Sequence, residues 1–161
     1  MNWLKISGIT AVVICISIFT IADFVIAGEI IKWQGTGFTT KFEQMEVGDV
    51  EGHIVAVWQG KQVFINEKTG EKTISISTNN MDINPKIGKV TLKGYGVATA
   101  PNGDQLIREH MGQAVGKGHF KGTFTYVKGT GQYEGTKGSG TWESWALSKD
   151  ISYYEVVANM E

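Results

Sequence analysis

From residue 28 onward, apolar and polar residues alternate in short runs. No window repeats apolar residues at i, i+3, i+4 and i+7 over three helical turns, so the pattern argues for strands and against helices. The runs are rich in Val, Ile, Thr and aromatic residues. They predict strands over 29–33, 38–42, 50–59, 62–66, 72–78, 89–98, 105–113, 118–127, 138–147 and 151–158. Turn signals separate them: Glu67-Lys68-Thr69-Gly70, a loop through Asn79-Asn80-Met81-Asp82 and Asn84-Pro85, Pro101-Asn102-Gly103-Asp104, and Gly129-Thr130-Gly131. The Asn102-Gly103 pair predicts a type I′ hairpin turn, which needs positive φ at both central residues. Short, evenly spaced strands without a linker predict a single all-β domain, a sandwich or a closed barrel, over residues 28–161.

The alternation is cleanest over 118–127. Phe120, Phe124 and Tyr126 fall on one face, and His119, Lys121, Thr123 and Thr125 on the other. One face is therefore buried and one wet. The stretch 50–59 is apolar on both faces, so its second face is expected to be covered by a partner subunit or a terminal segment. Glycines inside strands, at 94, 96, 122 and 140, suit the tight coiling of a small barrel.

The first 27 residues read differently. Lys5 precedes an uncharged apolar run from Ile6 to Ala22, and Val25 and Ala27 occupy the −3 and −1 positions of a cut after Ala27. This is the layout of a cleaved secretory signal, with retention as an anchor as the alternative. It predicts a periplasmic or secreted protein with no membrane span after cleavage. The single cysteine, Cys15, lies in this segment, so the remaining chain has no disulfide.

Composition narrows the function further. Lys+Arg is 15 against Asp+Glu 16, a net charge of −1, which speaks against a nucleic-acid partner. Gly is 21 residues without a collagen period. Gly129-x-Gly131-x-x-x-Gly135 is not a dinucleotide loop, no phosphate-binding P-loop occurs, and no Ser stands in a nucleophile-elbow motif. No cofactor is expected. His53, His110 and His119 lie on three predicted strands without metal-ligand spacing; they hold zinc only if a barrel mouth gathers them, and no metal site is assigned.

The segment from Gly122 to Trp142, GTFTYVKGTGQYEGTKGSGTW, resembles the strand-turn-strand phrase of the allene oxide cyclase and dirigent type β-barrels and of small exported bacterial proteins of unknown role. The matched positions are Gly129, Thr130, Gly131, Tyr133, Gly135 and Gly138; Lys128 stands where the phrase has its first glycine. The resemblance implies an antiparallel barrel of about eight strands with an apolar lumen, in families that often form trimers, so a homo-oligomer is expected. The catalytic and pocket acids of those families do not align onto this chain, so the resemblance bears on fold and not on activity.

Two functional readings stay open. The first is a non-catalytic barrel holding a small apolar molecule, with Phe120, Phe124, Tyr126, Trp142 and Trp58 as ligand-binding residues. The second is a cofactor-independent cyclase or isomerase acting in an apolar lumen. A purely structural subunit is the third. In Arg108-Glu109-His110, alternation puts Arg108 and His110 on one face, read as an exposed charged surface. Glu109 lies on the other face with Ile107 and Met111. If that second face is the lumen, Glu109 is the catalytic candidate, for general acid or base work.

Overall fold

The computed structural model describes residues 28–161; the segment read as an export signal lies outside the described residues. Eight strands follow in order: β1 (Glu29–Glu46), β2 (Ile54–Asn66), β3 (Lys72–Asn84), β4 (Lys89–Thr99), β5 (Gln105–Gly116), β6 (His119–Gly129), β7 (Gly138–Ala146) and β8 (Ile151–Met160). Each pairs antiparallel with its sequence neighbour, and β1 pairs with β8, from Glu29 opposite Met160 to Phe38 opposite Ile151. The sheet is thus a closed up-and-down barrel, and closure leaves no free edge for another chain to pair with.

Several predicted boundaries move. The two strands expected over 29–33 and 38–42 are one, β1, because Gly35 and Gly37 continue the strand. A side chain at Gly35 would collide with Phe64 and one at Gly37 with Tyr154, so bare backbone there makes room for rings. The expected loop at residues 79–82 is the second half of β3. The turn at Pro101–Asp104 is not type I′: only Gly103 has positive φ (90°), and Gly103 N–H donates to the Ala100 carbonyl at 2.9 Å. Pro101 at its first central position is incompatible with the positive φ of a type I′ turn. The Glu67–Gly70 turn forms as expected. Gly70 sits at φ 70°, and Asn66 Oδ1 accepts the amides of Lys68 and Thr69 at 2.9 and 3.0 Å.

The barrel's inside and outside do not divide simply into apolar and polar. Phe124, Trp142 and Ala158 form the centre of the core, flanked by Trp33, Leu92, Phe120, Tyr126 and Val156. On the opposite wall the pattern inverts. Gln62 of β2 and Ser75, Ser77 and Asn79 of β3 are buried, while Val63, Ile65, Ile74 and Ile76 are exposed on the outer surface. Val55 and Val57 are exposed too, and nothing among the described residues covers the outer face of that stretch. The lumen expected to be apolar is therefore mixed: buried Gln62, Ser75, Ser77 and Asn79 lie among rings that include Trp58 and Phe64 of β2 itself.

Candidate functional site

Strand alternation aims five residues expected at a ligand site into the barrel. Trp58, Phe120, Phe124 and Trp142 line one chamber of about 140 Å³, and Phe124 and Tyr126 line a second of about 160 Å³. The two chambers share a waist of Phe64, Arg108, Phe124 and Val156. Phe124 is 3 % exposed and meets Tyr126 edge-on at 5.2 Å between ring centroids. The Trp142 indole lies across Gly112 and Gly122, where any Cβ would overlap it. Its parity is opposite to that of Trp145, which stacks outside on His119 at 4.9 Å.

The polar wall meets these rings through β5. Alternation carries Leu106, Arg108 and His110 inward and Ile107, Glu109 and Met111 outward. The face holding Arg108 and His110, read from sequence as exposed, is thus the lumen face. Glu109 points away from the lumen, and its carboxylate receives a hydrogen bond from Lys93 at 2.9 Å on the outer surface. That contact holds the Lys93 amine above its ordinary pKa. The condition under which Glu109 would serve as a lumen acid or base is not met.

His110 is 7 % exposed. One ring nitrogen, Nε2, donates to Asn79 Oδ1, and Nδ1 is buried without a partner. This arrangement fits a neutral imidazole with its proton on Nε2. Burial, and then the nearby Arg108 cation, pulls its pKa down to about 4. The Trp142 ring stands edge-on to it at 6.3 Å.

Arg108 is the one cation inside the barrel among the described residues. Its Nη2 donates to Ser75 Oγ at 3.1 Å, its guanidinium carbon lies 5.9 Å from the Phe64 ring centre, and the group rests on the bare backbone of Gly96. Burial lowers its pKa, while the nearby Tyr126 and Tyr154 act in the other direction. The Tyr126 hydroxyl is in turn pushed up to about 12 by burial. Sequence reading missed Arg108 as a lumen group. The available signal was its sharing of a strand face with Leu106, Gly112 and Ala114, residues too small or too apolar for a solvated charged surface.

The other histidines lie apart. His53 bonds Asp49 through Nδ1 (2.6 Å) and Asp82 through Nε2 (3.0 Å), and His119 Nε2 bonds Glu143 at 3.0 Å. With His110 in the lumen, the three do not meet. No group of three or more metal-ligating side chains is assembled among the described residues.

No protein-family model matches the chain, and no curated protein matches it. Among solved structures it is similar to a conserved protein of unknown function from Rhodopseudomonas palustris. The TM-score is 0.57 at 14 % identity, with 83 % of this chain and 98 % of that one covered. It also aligns with a pterocarpan synthase dirigent protein at TM-score 0.49 and 8 % identity, covering 83 % of this chain and 89 % of that one. The first likeness bears on the fold alone.

Proposed function

We propose that this protein is an exported, non-catalytic barrel that holds a small, largely apolar molecule in its lumen, and that its kinship lies with the dirigent and allene oxide cyclase type barrels. The observation that carries the reading is the pair of aromatic-walled chambers meeting at one waist. A cavity of roughly 150 Å³ with an apolar lining accommodates a ring the size of benzene, so each chamber suits one ring of a small ligand. Export is supported by the charge and apolar pattern of residues 1–27, followed at once by the first barrel strand.

The cyclase or isomerase reading needs a proton-transferring group beside the ligand. His110 is the titratable imidazole in the lumen, and a pKa of about 4 makes it a weak base at neutral pH. This favours binding over catalysis. The test is a titration of the barrel with indole, followed by amide chemical shifts. Saturable shifts clustered at Phe120, Phe124 and Trp142 are expected; their absence would overturn the reading. N-terminal sequencing of the protein from its host's exported fraction should begin near Gly28, and a product retaining Trp3 and Leu4 in the cytoplasm would refute export.

A further inference from the structure

We propose that the ligand of this lumen is an aromatic monocarboxylate, held by its carboxylate on Arg108 with its ring in one of the flanking chambers. The proposal deepens the lumen-binding reading and rests on it. A buried charge is costly unless it is paired. Arg108 has no carboxylate within ion-pair distance among the described residues; its one hydrogen-bond acceptor there is the neutral Ser75 hydroxyl. A guanidinium offers five N–H donors in a planar fork, so most of its donor capacity is not used by that bond. The group sits at the waist, where both chambers reach it.

The neighbours fix the ligand's charge and size. His110 is neutral, Tyr126 and Tyr154 are neutral phenols, and Ser75 and Ser77 are hydroxyls, so the lumen supplies one positive charge and balances one negative charge. The carboxylate of Glu71 lines the second chamber from the exposed turn between β2 and β3 and makes no ion pair with Arg108. A carboxylate matches the planar fork with two parallel bonds. Each chamber, about 140 and 160 Å³, is of a size to hold one ring and a short substituent beside Arg108. Phe64, Phe124 and Trp142 supply faces and edges for that ring.

The experiment compares benzoate, its neutral isostere benzamide, and indole on the wild-type protein by calorimetry and amide chemical shifts. Benzoate should bind roughly 10–100-fold more tightly than benzamide, the range of a charge-assisted hydrogen bond. The Arg108 side-chain N–H resonances should shift on addition of benzoate. Arg108→Met should then bind the two isosteres within about threefold of each other. Indole binding with no preference for benzoate would overturn the carboxylate proposal and leave the lumen reading standing. Binding of none of the three would overturn both. A preference that survives in Arg108→Met would overturn the assignment to Arg108. Should that variant not fold, the Arg108 resonances of the wild type still decide, since a bound benzoate that leaves them unmoved refutes the contact.

Discussion

At the scale of single residues, burial makes His110 an acid-sensitive point. Its folded pKa is about 4 against an ordinary value of 6.5, so between those values the unfolded chain binds a proton that the folded barrel does not. Stability therefore rises with pH across that window and falls as acid is added, by up to about 3 kcal/mol from this group alone. His53 acts oppositely. Asp49 first, and then Asp82, raise its pKa, so its contribution is present in acid and is lost as the pH climbs through the folded value. Subtracting the stability profile of His110→Gln from that of the wild type cancels His53 and isolates His110. The difference should shrink from pH 7 to pH 4, and a flat difference would mean that His110 is protonated in the folded state. Phe124 gives a second prediction at this scale. Phe124→Ala removes a ring 3 % exposed at the centre of the core, and denaturant unfolding should show a loss of about 3 kcal/mol. That is the lower end of the usual range, because the ring already borders two chambers and part of its surface lacks packed neighbours.

At the scale of elements, the connection from β6 to β7 shows why its glycines are needed. Gly131 holds φ 53°, and a Cβ there would run into the Asp104 carboxylate, whose Oδ2 accepts the Gln132 amide at 3.0 Å. Gly131→Val should therefore cost about 1–3 kcal/mol in denaturant unfolding, while Gly135→Ala, strained at φ 75° but in open space, should cost less. Equal costs would show that the collision with Asp104 is relieved by a simple side-chain movement. The same element scale explains what the sequence made legible. The alternation of β6 was readable because its buried face is aromatic and its wet face is polar. The first half of β3 was read as a strand through Ser75 and Ser77, and its second half was lost from Asn79 onward. Asn79-Asn80 reads as a turn when the partner of Asn79, His110, lies two strands further along the sequence, on β5. Arg108 was misplaced for a related reason. Ile107 and Met111 look like core residues, yet they lie on the outer surface of a barrel whose apolar outer patches mimic an interior. Periodicity finds the two faces of a strand; which face is inward depends on pairings that no local window contains.

At the scale of the whole molecule, closure makes the order of the strands a circle with an arbitrary break. Glu29 lies opposite Met160, and Glu161 N–H donates to the Lys137 carbonyl at 3.0 Å, so the first and last described residues are neighbours. A short Gly/Ser linker can join Glu161 to Gly28, and the exposed turn between β7 and β8 at Lys149 offers a new opening. In the parent chain every pairing joins sequence neighbours except β1 with β8. In the permutant that pairing becomes local, and β7 with β8 becomes the one distant closure. One non-local pairing is exchanged for another, so the mean sequence separation of contacts hardly changes, and neither should the folding rate. The permutant of residues 28–161 should refold within about tenfold of the parent rate and unfold in a single cooperative transition. Stopped-flow refolding with tryptophan fluorescence checks this, since Trp142 is buried at the barrel's centre. A permutant that refolds a hundredfold more slowly would show that the β7–β8 hairpin is part of the folding nucleus, and that the circle has a fixed starting point after all.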